Sequence, residues 1–269
     1  MNRSFGIIGW PLGHTLSPTL HNWGFGQAGL NGRYEAWPLE PKDLPAFMDR
    51  VRRAPIMGLS VTIPHKQTVM PFLDAISQRA RDIGAVNTVY WDGDILRGEN
   101  TDVIGLVAPL RGLAVLPDSA VVLGAGGAAR AAIAGLQELG IRTIAVSNRT
   151  RSKGKALAAD FQVHCVAWEE RMDTPWGLIC NTTPLGMSGT MQDLSPWQTD
   201  RFAPGAVAYD IVYNPLQTRF LAQAREAGCQ TISGLEMFLH QGLAQFRLWT
   251  GLDMDEAGAR QLLLAALTH

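Results

Sequence analysis

Charge is scarce in this sequence. Only 17% of its 269 residues are Asp, Glu, Lys or Arg, and 23 basic against 24 acidic side chains leave a formal net charge of −1. Neutralising phosphates or an anionic membrane surface takes an excess of basic groups, so neither nucleic acid nor a membrane has an electrostatic case as partner. Cysteine is scarce too. Cys165, Cys180 and Cys229 are odd in number and form no CxxC, which argues against a disulfide framework. They are expected to be small buried hydrophobes in a reducing compartment. Long apolar runs are missing: the least polar stretch, residues 121–136, is rich in Gly and Ala and is interrupted by Arg130, so no membrane span is expected. No basic region precedes the strand-like Phe5-Gly6-Ile7-Ile8, and the cytoplasm is the expected location.

What is present is an apolar fraction of 46%, enough to core one large α/β domain or two smaller ones. Buried-strand patterns occupy residues 5–9, 34–39 and 58–63, the last stopped by Pro64. A helix is expected from Ser17 as N-cap, with Pro18 at the first helical position, to about Gly29, and another over 43–53. Asp92-Gly93 marks a hairpin between 87–90 and 95–97. After a helix at 102–111 the pattern becomes strand 120–123, helix to 139, strand 143–147 and helix 152–161. Strands at 178–181 and 207–210 follow, then helices at 237–249 and 255–267. Such alternation implies right-handed βαβ units and a parallel sheet. The expected organisation is two α/β domains: residues 1–103 with the returning C-terminal helices 237–269, and a Rossmann-like domain over 104–236.

Gly124-Ala125-Gly126-Gly127-Ala128-Ala129-Arg130 lies between an expected strand and an expected helix, the context a G-x-G-x-x-A dinucleotide fingerprint requires. Gly124 permits the tight turn, Gly126 lets the backbone approach a pyrophosphate, and Ala129 allows close helix–strand packing. Free N–H groups at the helix start would hold the phosphates. About 20 residues past the glycines an NAD site usually carries an acid for the ribose hydroxyls. Here Asn148-Arg149-Thr150-Arg151-Ser152-Lys153 offers three cations and no carboxylate, so NADP is favoured over NAD. Arg149 would stack on adenine and pair with a 2′-phosphate, helped by Thr150 and Lys153.

At the other end of the chain, Thr15 and Ser17 put two hydroxyls at a helix N-terminus, where an anion such as a carboxylate is stabilised. Taken alone, Ser17 is as readily a plain N-cap, and His14 is expected as a loop histidine rather than a catalyst. Thr62 and Lys66 stand just past a buried strand, where open α/β sheets bind ligands. Asn87-Thr88 and Asn100-Thr101-Asp102 are ordinary turn residues when read singly.

Together these phrases are not ordinary. G-x-P-x-x-H-T-x-S-P, V-T-x-P-x-K, G-A-V-N-T, N-T-D, G-A-G-G-A-x-R and N-R-T occur in one order on one chain. They are joined by Asn181-Thr182-Thr183-Pro184-Leu185-Gly186-Met187, Tyr209-Asp210 with Tyr213, and Gly234-Leu235-Glu236-Met237 with Gln241. In this combination the sequence resembles the shikimate dehydrogenase family over essentially its whole length. The resemblance implies an NADP-dependent oxidoreductase that reduces 3-dehydroshikimate to shikimate on the route to chorismate and aromatic amino acids. It implies that residues 1–103 with 237–269 bind substrate and that 104–236 bind NADP. Thr15, Ser17 and Tyr213 would contact the substrate carboxylate, and Thr62, Asn87, Asp102 and Gln241 the ring hydroxyls. Lys66 and Asp102 would be the catalytic pair, Lys66 giving the proton in reduction and taking it in oxidation. Gly124, Gly126, Gly127 and Ala128 would cradle the pyrophosphate, and Asn148, Arg149, Thr150 and Lys153 would recognise the adenosine phosphate. Thr182, Ile211 and Gly234 would guide the nicotinamide half. A monomer or homodimer is expected, with no metal.

Three positions depart from the family pattern: Thr15 stands for the usual Ser, Ser60 for Asn, and Trp10 for a polar residue. They bear on fine substrate preference, including tolerance for quinate. The rival readings are a broader quinate/shikimate dehydrogenase and a non-catalytic ligand-sensing module on the same fold. A glutamyl-tRNA reductase, which shares the glycine turn and the N-R-T phrase, needs a nucleophilic cysteine early in the chain, and none precedes Cys165.

Overall fold

The computed structural model describes residues 3–13 and 15–268. They fall into two compact units, one formed by residues 1–101 and 241–269, the other by residues 102–240.

In the first unit the chain runs through β1 (Arg3–Gly9), α1 (Ser17–Gln27), β2 (Gly32–Pro38), α2 (Leu44–Arg53) and β3 (Ile56–Val61). α2 illustrates why these segments form. Leu44, Phe47, Met48 and Val51 recur at helical spacing and are all buried, each worth about 1.5–3 kcal/mol on burial. Arg50, Arg52 and Arg53 sit in its last turn, where the helix dipole favours cations. Next come α3 (His65–Thr68), β4 (Ala75–Ile76), α4 (Gln78–Ile83) and the hairpin β5 (Thr88–Asp92) and β6 (Ile95–Glu99). The Ser77 side chain caps α4 by accepting from Ala80 N–H at 3.0 Å, and Gly84, with φ of 70°, ends it. The strands form one sheet in the order β2-β1-β3-β5-β6-β4. β1 is parallel to both neighbours, and β5 is antiparallel to both of its own.

The second unit begins with α5 (Asp102–Arg111), β7 (Ser119–Leu123), α6 (Gly127–Glu138), β8 (Thr143–Ser147), α7 (Arg151–Phe161) and β9 (His164–Val166). It continues with β10 (Leu178–Asn181), β11 (Val207–Asp210), α8 (Arg219–Glu226) and β12 (Gln230–Ile232). Its sheet has the order β12-β11-β10-β7-β8-β9, and every neighbouring pair is parallel. This is the doubly wound order of dinucleotide-binding sheets, with its reversal between β7 and β10. α9 (Gly234–Thr250) starts in this unit and ends in the first, and α10 (Glu256–Thr268) packs on α1.

The α/β class and the Rossmann-like sheet are as the alternation implied. Some local expectations are corrected. Ser17 is not the N-cap of α1: Leu16 is, and the Ser17 N–H donates to Thr15 Oγ1 at 3.2 Å, so the turn is closed from two residues upstream. α1 also ends at Gln27 rather than Gly29. Cys165 is exposed, because β9 is an edge strand, whereas Cys180 and Cys229 are buried. The third strand ends at Val61 rather than Ile63, since the Ile63 carbonyl turns to accept from Trp10 N–H at 2.9 Å.

Candidate active site

In the first unit, parallel β1 and β3 end on the same edge of the sheet, and β5, antiparallel to β3, begins there. Polar residues just after β3 and just before β5 are therefore brought together. Val61 N–H donates to the Asn87 carbonyl at 2.7 Å, and Val86 N–H to the Lys66 carbonyl at 2.7 Å. Thr62, Lys66 and Asn87 thus share one sheet edge. His65 is fully buried with Nε2 2.7 Å from the Leu39 carbonyl, which pins α3 by its first residue and leaves Lys66 half-buried at its second. Thr15 and Ser17 are hydrogen-bonded to each other: the Thr15 hydroxyl donates to Ser17 Oγ at 3.1 Å, and Ser17 is buried. His14 lies outside the described residues.

Asn87 is only 2% exposed and heavily bonded. Its Oδ1 accepts from Thr101 N–H at 2.7 Å and from the Thr88 hydroxyl at 2.8 Å, and its Nδ2 donates to Thr101 Oγ1 at 3.0 Å. Behind it, Gln245 Nε2 donates to Thr88 Oγ1 at 3.0 Å, and Gln245 Oε1 accepts from the Ser60 hydroxyl at 2.8 Å. Ser60 in turn accepts from the Tyr34 hydroxyl at 2.6 Å. Burial pushes the Tyr34 phenol well above its usual range, against hydrogen bonds to Ser60 and Ser17. Gln241 is half-buried on α9, one turn before Gln245.

In the second unit the turn after β7 has the form a dinucleotide needs. Gly124 has φ of +117°, and a Cβ there would lie 2.6 Å from Thr182 Oγ1. The Thr182 hydroxyl donates to the Leu123 carbonyl at 2.7 Å, so it braces this turn from the end of β10. Gly126 caps α6 with no side-chain cap, and a Cβ on it would point into open space. The first N–H groups of α6, at Gly127 and Ala128, are thus presented without a side chain in front of them, as an anion site requires. At the end of β8, Asn148 Nδ2 donates to the Thr150 carbonyl at 2.9 Å, shaping a turn on which Arg149, Thr150 and Lys153 are all exposed. These residues fit a phosphorylated dinucleotide: a glycine cradle, an uncapped helix start and free-standing cations with no acid among them.

Asp102 is the first residue of α5 and is buried. Asn181 and Asp210 are register partners at the ends of β10 and β11. Asp210 accepts from Asn181 Nδ2 at 2.9 Å, Val212 N–H at 3.0 Å and the Thr218 hydroxyl at 2.6 Å. Burial outweighs these donors and pushes its carboxyl up to about 7. The segment it anchors carries Ile211 and Tyr213. The Tyr213 ring lies 4.8 Å from that of Phe238, and a Cβ on Gly234 would collide with the Ile211 carbonyl.

Thr15 with Ser17, Thr62 with Lys66 and Asn87, Gly124 with Thr182, and Ile211 with Gly234 are thus placed near one another within their units. Lys66 belongs to the first unit and Asp102 to the second. Sequence reasoning overlooked Tyr34 and Gln245 and undervalued Thr88 and Asp210. The only signal for Gln245 was a second glutamine four residues after Gln241 on the same helix. Among the described residues no cluster of His, Cys, Asp and Glu could hold a metal ion, and no helix is long and apolar enough to cross a membrane.

Comparison with known proteins adds three family matches. Residues 7–89 match the shikimate dehydrogenase substrate binding domain, 114–173 the shikimate / quinate 5-dehydrogenase family, and 234–264 the shikimate 5′-dehydrogenase C-terminal domain. A protein of Maridesulfovibrio salexigens named shikimate dehydrogenase (NADP(+)) is 51% identical, over 98% of this chain and 97% of its own. Among solved structures, shikimate 5-dehydrogenase from Thermus thermophilus in complex with NADP(H) and shikimate is 38% identical with a TM-score of 0.89, covering 98% of this chain and 100% of that one. Quinate dehydrogenase from Corynebacterium glutamicum in complex with NAD is 30% identical with a TM-score of 0.92, covering 98% and 99%.

Proposed function

Because the chain belongs to the shikimate dehydrogenase family, we propose that it catalyses the reversible NADPH-dependent reduction of 3-dehydroshikimate to shikimate. The observation that carries this is the continuity of the resemblance through both units and over nearly the whole length. When bound, NADPH supplies the hydride, and the chain's own residues bind, orient and move the proton. Residues 1–103 with 237–269 take the substrate, and 104–236 take the cofactor. Thr15, Ser17 and Tyr213 hold the carboxylate, while Thr62, Asn87, Asp102 and Gln241 meet the ring oxygens. Lys66 gives its proton to the nascent hydroxyl oxygen in reduction and receives it in oxidation, with Asp102 holding the same oxygen and orienting the lysine. Gly124, Gly126, Gly127 and Ala128 receive the pyrophosphate. Asn148, Arg149, Thr150 and Lys153 receive the adenosine phosphate, and Thr182, Ile211 and Gly234 the nicotinamide half.

The cations at the end of β8, with no acid among them, support NADP against NAD and set this chain apart from an NAD-using quinate dehydrogenase. A cytoplasmic monomer or homodimer with a small-molecule substrate and no nucleic-acid partner completes the proposal. The deciding experiment compares initial rates with shikimate or quinate, each with NADP⁺ or NAD⁺. Strong turnover only with shikimate and NADP⁺ is expected. Turnover mainly with quinate or NAD⁺ overturns the specificity, and ligand binding without any turnover points to a sensing module instead.

A further inference from the structure

We propose that Gln245, which lies outside the substrate-contact set above, is a positioning residue that sets the orientation of the Asn87 amide through Thr88. The inference rests on the assignment of Asn87 to the substrate site.

The argument is one of hydrogen-bond direction. A backbone N–H can only donate, so the Asn87 atom 2.7 Å from Thr101 N must be the amide oxygen. The Thr88 hydroxyl, 2.8 Å from the same oxygen, also donates to it. A hydroxyl whose hydrogen is spent this way is available to others as an acceptor, and Gln245 Nε2 stands 3.0 Å from it. That end of Gln245 is fixed as the NH₂ because it also faces the Asn87 carbonyl, a pure acceptor, at 3.3 Å. The opposite end is therefore Oε1, and it accepts from Ser60 at 2.8 Å. Ser60 has its hydrogen to give because its own lone pair takes the Tyr34 hydroxyl at 2.6 Å. The chain runs one way, Tyr34 to Ser60 to Gln245 to Thr88 to Asn87. Tyr34, Ser60, Asn87, Thr88 and Gln245 are all at most 5% exposed, so water cannot substitute for a missing partner at low cost.

Such a chain holds the Asn87 oxygen inward, so that its NH₂, which also donates to Thr101 Oγ1 at 3.0 Å, is the end assigned to a substrate oxygen. It also gives Ser60 a use: its short hydroxyl is an acceptor for Tyr34 and a donor to Gln245 at once, linking the sheet to α9.

The test is shikimate oxidation by the full-length enzyme, with thermal melting of each variant measured alongside. Gln245→Met keeps the volume and removes the hydrogen bonds to Ser60, Thr88 and the Asn87 carbonyl. It is expected to raise the KM for shikimate about tenfold, the worth of roughly one hydrogen bond, with the KM for NADP⁺ unchanged. In an Asn87→Ala background the same change is expected to have no further effect on shikimate KM, because it acts through Asn87. Fully multiplicative effects, or equal rises in both KM values, overturn the proposal. Gln245→Glu, which retains the acceptor for Ser60 and can donate to Thr88 only while protonated, guards against a Met variant that does not fold. Its shikimate KM is expected to climb with pH more steeply than that of the unaltered enzyme, and a parallel profile overturns the proposal. If Asn87→Ala leaves shikimate KM unchanged, the site assignment of Asn87 falls and this inference with it. Absence of shikimate turnover in the unaltered protein would refute the proposed function itself.

Discussion

Mild acid should destabilise this protein through one histidine. His21 is fully buried on α1, stacked on Tyr34 with ring centroids 4.6 Å apart and edge-on to Trp249 at 4.9 Å. Neither ring nitrogen makes a hydrogen bond of normal geometry. Burial lowers the pKa from 6.5 to about 3, outweighing the neighbouring Gln245 side chain, which opposes the shift. A depressed folded-state pKa means that the unfolded chain takes up the proton first. The stabilisation is present above pH 6.5 and is lost as pH falls towards 3. Between pH 7 and pH 5 the loss integrates to about 2 kcal/mol. His21→Phe keeps an aromatic ring of similar size in the stack and removes the titration. Urea unfolding of both proteins, read by tryptophan fluorescence at pH 7 and pH 5, should show the stability gap moving by that amount in favour of Phe at the lower pH. At pH 7 the variant should be within about 1 kcal/mol of the parent, since two unpaired buried nitrogens are exchanged for carbon. Parallel losses in the two proteins would refute the reasoning, because His21 would then be reached by water or paired in the fold.

Asp210 has the opposite sign. Its raised pKa of about 7 means that its stabilisation is complete below the unfolded value of 3.8 and is lost as pH rises through 7, so the advantage of the parent over Asp210→Asn should shrink by about 2 kcal/mol from pH 5 to pH 7 in urea unfolding. Lys66→Ala should lower kcat by roughly 10²- to 10⁴-fold with a much smaller change in shikimate KM, and unchanged turnover would remove Lys66 from proton transfer. Arg149→Ala should raise the KM for NADP⁺ far more than that for NAD⁺, because adenine stacking is common to both cofactors and only NADP⁺ carries the 2′-phosphate; equal effects on both would reassign it.

Much of the second unit was legible because its strands announce themselves. β8, β10 and β11 have the bounds their short apolar runs gave, and the glycine turn lies between β7 and α6 where the fingerprint requires it. β9 and β12, three residues each at the sheet edges, carry too few side chains for any period to emerge, and α8 has only eight residues. In the first unit β1, β2, β3 and the hairpin were visible, but the two-residue β4 and the polar chain behind Asn87 were not. Gln245 meets Ser60 and Thr88 from 185 and 157 residues away in sequence, and no local pattern reports such a pairing. Ser17 was misjudged for the converse reason: a Ser before Pro is a strong cap signal, yet Thr15, two residues earlier, takes the N–H first.

The first unit is discontinuous in sequence, and that has a consequence for how the chain is made. Its core is finished by Phe246, fully buried, and by Trp249, whose indole N–H donates to the Val89 carbonyl at 3.0 Å. When a ribosome has released residues 1–101, the sheet they form still lacks the helix that covers it and the glutamine that joins Ser60 to Thr88. At synthesis rates of about 5–20 residues per second, roughly 7–30 s pass before that helix emerges. The second unit, continuous from 102 to 240, has every strand of its sheet in hand by then. Of the two units, the one begun earlier is thus the later to close. Deleting residues 241–269 would take Phe246 and Trp249 from the earlier-made unit while sparing the second.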